Sequence, residues 1–227
     1  MKNLTKTMLS SAVLFLGSHA AYGQCKVPTD GIYIMDTDVK EVLKGAPPAV
    51  DQQLRVVDLC KYNLAVGIIH RGPTRAPAAG AARGKGGDKA GKGAGKQAAA
   101  NIQRCNAGTA PEGAASSGVG GISHDSETET YIIVSGGGTV VTGGAIVNGV
   151  RSGPESEVTK VLNGPSCSGQ MVGDVTKRPV VPGDIVIIPF GVPHGWADIT
   201  DHVDYLSVRP DPDHVLETGY VNPAIKR

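Results

Sequence analysis

The chain has 227 residues with 22 basic and 21 acidic side chains, so its formal net charge of +1 lacks the strong positive excess typical of nucleic-acid-binding proteins. Hydrophobic residues make up 40% of the chain, which suits one sizeable domain. Beyond the N-terminus, no apolar run is long enough to cross a bilayer. We therefore expect neither a nucleic-acid partner nor a membrane span.

The first 23 residues have the layout of a secretory signal peptide. Two lysines precede a short apolar run over residues 8–16, and small residues follow up to Gly23. The apolar run is too short for a transmembrane helix. We predict cleavage after Gly23, a mature chain of residues 24–227, and a periplasmic or secreted protein.

All four cysteines lie in the predicted mature chain. An even number of cysteines in an exported protein predicts disulfides, because the compartment is oxidising. Four cysteines allow three pairings, and we favour Cys25–Cys60 together with Cys105–Cys167.

Residues 36–48 form the one segment with convincing helical features. Asp36 or Thr37 can cap its start, the apolar residues at 39, 42 and 43 share a face, and Gly45 can end it. The sequence therefore predicts one short N-terminal helix.

The next part of the chain changes abruptly in composition. Residues 51–60 and 62–71 are β-branched runs and are predicted to be strands. Residues 74–119 are rich in Gly, Ala and Lys, and contain almost no large apolar side chain. Such a segment cannot bury enough surface to offset its ordering entropy, so we predict a disordered insertion in the domain. Its positive charge also leaves open a tether to an anionic surface.

From Ile122 onwards, short apolar runs alternate with Gly/Pro turns. Many short strands separated by turns predict an all-β sandwich or barrel. The Gly-Gly pair at 143–144 lies between two apolar runs and predicts a hairpin. The polar segment 148–181 is predicted to be a loop between two groups of strands, which a Cys105–Cys167 bridge would fasten to the insertion.

Two stretches carry residues suited to metal chemistry. Glu129 and Tyr131 share one face of a predicted strand, with His124 five residues before Glu129. Further on, His194 and Trp196 also share a face. Two imidazoles and a carboxylate form a three-ligand set for iron, manganese, nickel or zinc that leaves positions open for a substrate.

These stretches resemble the paired motifs of the cupin superfamily. The second motif is matched at every spacing by Gly183, Pro189, Gly191, His194 and Asp198, the last standing where the family has Asn. The second half of the first motif is matched by His124, Glu129 and Gly136. The motif's first histidine falls at Ile122, which cannot bind a metal. His70, at the end of a predicted strand, is the alternative fourth ligand.

The resemblance implies a double-stranded β-helix (cupin or jelly-roll) barrel with a mostly apolar pocket, in which His194 follows a tight turn and projects inward. It also implies a divalent metal and a homodimer. The implied activity is that of a metal-dependent enzyme on a small organic molecule, of the dioxygenase, lyase, decarboxylase or isomerase class. The alternative is a non-catalytic cupin that binds a small molecule or sugar and has a degenerate metal site.

Several other residues are candidates for shaping the substrate. Tyr131 could donate a hydrogen bond or a proton, and Trp196 could form an aromatic wall. On the last predicted strand, Arg209 could hold a substrate carboxylate if the polar set faces inward, but it is a surface residue if the apolar set does. Glu127 is expected to point outward. Asp198 either accepts a hydrogen bond from a ligand imidazole or lies on the surface.

Overall fold

The computed structural model describes residues 25–45, 50–74 and 103–226. The predicted signal peptide and residues 75–102 of the predicted insertion lie outside the described residues. The described chain consists mainly of antiparallel strands, which confirms the all-β prediction.

The elements, in chain order, are α1 Asp36–Lys44, β1 Asp51–Asp58, β2 Asn63–Arg71, β3 Arg104–Gly108, β4 Ser116–His124, β5 Glu129–Gly136, β6 Gly138–Arg151, a π-helical turn Val158–Leu162, β7 Ser166–Val180, β8 Ile185–Ile188, β9 His194–Ala197 and β10 Val203–Asp211. They form two five-stranded sheets. The first has the order β1-β2-β10-β5-β8, and the second has the order β3-β6-β7-β4-β9 with an additional β6–β9 pairing. Two such sheets facing each other form the double-stranded β-helix barrel expected from the sequence.

The inner faces of the two sheets form the interior of the barrel. Along β10, inward residues alternate with half-buried outward ones, so Tyr205, Ser207 and Arg209 all lie inside. The polar set of this strand therefore faces inward, and Arg209 is an interior residue rather than a surface residue. The main apolar cluster gathers aromatic and aliphatic side chains from both sheets around Tyr131, Trp196 and Tyr205.

The predicted helix is present and is followed by Gly45 as expected, but its start is capped differently. It covers Asp36–Lys44, and residues 46–49 lie outside the described residues. The residue before it, Met35, donates its backbone N–H to the Asp38 carboxylate at 3.0 Å. Asp38 therefore stabilises the helix start from inside the first turn, rather than Asp36 or Thr37 from its edge.

The predicted hairpin at 143–144 is wrong. Both glycines lie inside the continuous strand β6, with φ values of 87° and 62°. The pairing of β6 with β7 shifts register between Gly143 and Ala145, so the pair forms a β-bulge. A side chain at Gly144 would come within 2.4 Å of the Val172 carbonyl oxygen.

Two predicted loop boundaries also need correction. Residues 148–181 include β7, a 15-residue strand that pairs with both β4 and β6. Its composition is that of a loop, because it contains glycine and many polar residues. Many of these side chains face solvent, although the backbone of the strand lies at the centre of a sheet. The predicted insertion was also too long, since β3 and the start of β4 fall inside 74–119.

Both favoured disulfides are present, Cys25–Cys60 and Cys105–Cys167. The second does not fasten two loops. It joins β3 to β7, which lie on opposite sides of β6 in the same sheet. The bridge passes close to Gly149 of β6, where an added Cβ would lie 2.9 Å from the Cys167 sulfur.

Within the described residues, no helix is both long and apolar enough to span a bilayer.

Candidate metal centre

The three predicted ligands come from three strand ends that meet inside the barrel. His124 ends β4, Glu129 begins β5 and His194 begins β9. Positive φ angles at Gly183 and Gly191, 96° and 76°, place tight turns on either side of β8, before His194. The strand order brings β4 beside β9, where Ile122 pairs with His194.

The ligand atoms of these three residues lie within 4.8 Å of one another. Glu129 Oε2 is 3.2 Å from Nε2 of His124 and 3.2 Å from Nε2 of His194. Each of the three side chains is at most 6% exposed. Two imidazole nitrogens and one carboxylate oxygen, which are atom types that divalent transition metals prefer as ligands, therefore converge in a site shielded from water.

The Val192 carbonyl determines which ring nitrogen of His194 carries a hydrogen. His194 Nδ1 lies 3.0 Å from that carbonyl oxygen, which can only accept, so Nδ1 carries the hydrogen. In the neutral ring, Nε2 then has a free lone pair. Nε2 is buried and has no hydrogen-bond partner among the described residues.

His124 is oriented in the same way by Ser166. The Ser166 hydroxyl donates to the Gly164 carbonyl at 3.0 Å, which leaves its oxygen free to accept from His124 Nδ1 at 2.9 Å. His124 Nε2 therefore also presents a lone pair. Burial lowers the pKa of His124, against the opposing effect of Glu129, and this favours the neutral ring.

Glu129 is held as an anion. Burial by itself would raise its pKa, but the opposing effects, of which the Arg209 charge is the largest, outweigh burial and bring the pKa well below its usual value. Its second oxygen, Oε1, accepts a hydrogen bond from Ser207 at 2.5 Å and lies 3.5 Å from Arg209 Nε.

A carboxylate oxygen and two imidazole lone pairs therefore face one another at a distance of about one hydrogen bond. Three acceptors in this arrangement repel one another unless a positive charge lies between them. A divalent cation satisfies all three at once, and the orienting bonds at each Nδ1 are those that a metal-binding histidine requires. The residues present thus fit a metal ion.

Arg209 supports the site indirectly, through the residues that it hydrogen-bonds. Its Nε donates to Ser207 at 2.8 Å, and its Nη1 donates to the Leu162 carbonyl and to the Asn163 side chain, at the end of the π-helical turn. These donors are used within the protein, so the position favours a positioning role over the predicted role in holding a substrate carboxylate. Irregular π-helical turns often occur near functional sites.

Tyr131 lies beside His194, and Trp196 packs against Tyr131 and Tyr205 in the neighbouring aromatic cluster. The Tyr131 ring is 6.1 Å from the His194 ring and 4.2 Å from the Tyr205 ring, while Trp196 stacks on Tyr205 at 5.2 Å. Burial raises the pKa of Tyr131 well above its usual value, so its hydroxyl stays protonated. Trp196 Nε1 is buried without a hydrogen-bond partner among the described residues.

Two other expectations have clear outcomes. His70 is not a fourth ligand in this arrangement, because it is half exposed and its Nδ1 binds Asp204 at 2.6 Å on the outer face of the first sheet. Asp198 is exposed with φ 55°, and His194 Nδ1 binds Val192 instead.

The outward prediction for Glu127 is wrong. Glu127 is fully buried, and neither of its carboxylate oxygens has a hydrogen-bond partner among the described residues. Burial raises its pKa to about 7. Its carboxyl group fills the space beside Gly164, where an added Cβ would lie 2.1 Å from Glu127 Oε1. The glycine at 164 is what admits this side chain.

Sequence reasoning missed the residues that orient the ligands, namely Ser166, the Val192 carbonyl, Ser207 and Asn163. Ser207 stood on the polar face of the last strand, which was the one available signal. Ser166 and Asn163 belong to a segment predicted to be a loop, and a backbone carbonyl has no sequence signature.

The fold is a barrel of two antiparallel sheets, and the residues that resemble the two cupin motifs lie on β4–β5 and on β8–β9. Solved structures with similar shape include an uncharacterised double-stranded β-helix protein from Klebsiella pneumoniae, with 15% identity over 76% of this chain and 89% of the other, and a TM-score of 0.34. A Bacillus halodurans protein has 10% identity over 87% and 93%, with a TM-score of 0.36. An oxalate oxidase in complex with the substrate analogue glycolate has 9% identity over 74% and 54%, with a TM-score of 0.33.

This chain therefore spans about half of that oxalate oxidase. Neither protein-family models nor curated protein sequences gave a match. At such low identities and scores, the activity of a neighbour carries no information about this chain, so function has to be argued from the site.

Proposed function

We propose that this chain is an exported protein that binds one divalent transition metal through His124, Glu129 and His194, and that the metal serves an enzyme acting on a small organic molecule. The convergence of three buried acceptor atoms on one point carries the proposal. The disulfides support export, since such bonds persist in oxidising compartments.

When bound, iron, manganese, nickel or zinc would supply a Lewis acid or an oxygen-activating centre, and three protein ligands leave coordination positions open. The protein side chains have separate tasks. Ser207 and Arg209 hold the Glu129 carboxylate, while Ser166 and Val192 aim the imidazoles. Tyr131, as a neutral phenol, can donate a hydrogen bond to a molecule at the site.

A second candidate is a cupin that binds a ligand without turning it over. Ile122, at the position of the family's first histidine, favours it, because the ligand set is one imidazole smaller than the motif provides. The two candidates differ in what they require: the enzyme needs the metal and consumes a substrate, whereas the second candidate binds a small molecule or sugar with a degenerate metal site and does not turn it over.

The first experiment measures metal content by mass spectrometry after the mature protein has been refilled with each metal and dialysed. We expect about one bound ion per chain, and near-complete loss in both His194→Ala and Glu129→Ala. His214→Ala is the matched control, because His214 is exposed and distant in sequence from all three ligands. An ion that survives in both ligand variants would refute the site.

The second experiment follows oxygen uptake and product formation with a panel of small hydroxy acids, keto acids and phenols. Turnover by the loaded wild-type protein that is absent in Glu129→Ala supports the enzyme. Saturable binding of a panel member without turnover supports the second candidate.

A further inference from the structure

A cleft of about 420 Å³ lies where the edge of the first sheet approaches the second sheet. It is lined by residues of β6 and β7 on the side of the second sheet and by residues of β8 on the side of the first. Its volume is in the range of small-molecule sites. None of the three candidate metal ligands lines the cleft, so it is a separate feature of the barrel.

Both walls of the cleft are one strand away from the candidate metal centre. On β6, Thr142 is the direct cross-strand partner of His194. On β8, Val186 is the direct partner of Tyr131. Directly paired residues of antiparallel strands share a face, and His194 and Tyr131 project into the barrel, so Thr142 and Val186 do the same. The cleft therefore adjoins the metal centre from two directions.

Arg178 is the one basic residue that lines the cleft. It is exposed and forms no ion pair within the described part of the chain. A guanidinium presents a planar fork that binds a carboxylate through two hydrogen bonds. Arg209 spends its donors on groups of the barrel interior, whereas Arg178 presents its donors to the cleft.

The other groups of the cleft define the ligand further. Asp184 also lines it, and its Oδ2 accepts a hydrogen bond from the Val181 N–H at 2.9 Å. This fixed negative charge disfavours a ligand with a second acidic group. The remaining walls include apolar side chains and two hydroxyl groups, from Val140, Val180, Val186, Thr142 and Thr176. These walls suit a small monocarboxylic acid with an apolar body.

One small molecule can reach both the cleft and the metal centre. Thr176 pairs with Thr142, and Thr142 pairs with His194, so two strand spacings of about 10 Å in total separate Thr176 from His194. Arg178 follows Thr176 by two residues and shares its face of β7. We propose that the cleft binds a small monocarboxylic acid, with the carboxylate on Arg178 and the apolar body directed towards His194. The inference rests on the proposed function for what happens to the acid after it binds.

The test measures binding by isothermal titration calorimetry to protein refilled with metal. The probes are benzoate and isovalerate, with benzamide and isovaleramide as their neutral counterparts. We expect both acids to bind more tightly than their amides. Arg178→Gln should weaken acid binding about 10-fold or more and leave amide binding unchanged, because it removes the charged partner of the carboxylate.

Lys177→Gln is the matched control. It removes the same charge from the neighbouring residue, which is exposed, pairs with Val141 and does not line the cleft. Acid binding should therefore be unchanged in this variant. Circular dichroism checks that both variants are folded.

Metal content, measured on the same samples, separates this inference from the proposed function. One ion per chain without any preference for acids over amides, or an equal loss of acid binding in Arg178→Gln and Lys177→Gln, would overturn the acid-binding cleft and leave the metal centre intact. A wild-type protein that takes up no metal, yet binds the acids through Arg178, would refute the metal centre and support the cleft.

Discussion

The barrel interior has two halves that the same strands build from alternate residues. The polar half consists of His124, Glu129, His194, Ser207 and Arg209, and the aromatic half of Tyr131, Trp196 and Tyr205 with their aliphatic neighbours. On β5, β9 and β10, a polar-half residue is followed or preceded, two positions away, by an aromatic one. One strand face therefore serves both purposes.

The halves differ in how their polar atoms are treated. In the polar half, both imidazoles and the Glu129 carboxylate have a second group that fixes their orientation. In the aromatic half, Trp196 Nε1 is left without a partner among the described residues. The difference indicates that hydrogen bonds fix the orientation of the side chains where a cation would bind, while the aromatic half is held mainly by packing.

The largest expected effect tests whether charge balance stabilises the polar half. In metal-free protein, Arg209→Met should lower the free energy of unfolding by about 3–5 kcal/mol, because Glu129 loses its buried counter-charge. Urea unfolding monitored by circular dichroism measures the change. Arg151→Met, which breaks a partly exposed ion pair with Asp125, is the control and should cost less than about 1 kcal/mol. Equal costs would contradict charge balance as the organising interaction.

The next effect separates the two halves on one strand. Ser207→Ala removes the hydroxyl that holds Glu129 and should weaken metal binding about 10- to 100-fold, as measured by competition with a chelator. Its matched control is Tyr205→Phe, two residues away on the same face. Tyr205 Oη accepts from Arg71 Nε, so this control should leave metal affinity unchanged. A comparable loss in both variants would mean that the halves are not separable.

The smallest effect concerns Trp196 of the aromatic half, whose Nε1 has no hydrogen-bond partner among the described residues. Trp196→Phe should change the free energy of unfolding by less than about 1.5 kcal/mol, because the lost packing is partly offset by removing a buried N–H without a partner. The comparison variant is Ile133→Val in the same cluster, where loss of one methylene costs about 0.5–1.5 kcal/mol. A much larger cost for Trp196→Phe would show that Nε1 has a partner in solution.

The motif spacings predicted the ligands because they encode strand ends and turns. Gly183, Gly191 and His194 occupy the places that a tight turn before a metal ligand requires, and the two glycines have positive φ angles. Of the strands that contribute these ligands, β5 was predicted from its short apolar run bounded by glycine, whereas the start of β4 was assigned to the insertion.

The remaining features depend on pairing between distant segments. The inward face of β10 could not be chosen from sequence, because its polar face becomes favourable only when Glu129 supplies the partner for Ser207. β7 resembles a loop in composition, since its identity as a strand depends on its two neighbours in the sheet. The burial of Glu127 could not be predicted from sequence either, because the space that holds its carboxyl group exists only where Gly164 lies next to it.

The two imidazoles are not equally vulnerable to mutation. His124 depends on the hydroxyl of Ser166, so a single codon change can release that ring. His194 is aimed by the main chain at Val192, and no side-chain replacement at that position removes a peptide oxygen. During evolutionary drift, therefore, we expect the β4 side of the centre to lose its geometry first, while the β9 side persists for as long as the loop before it keeps its shape.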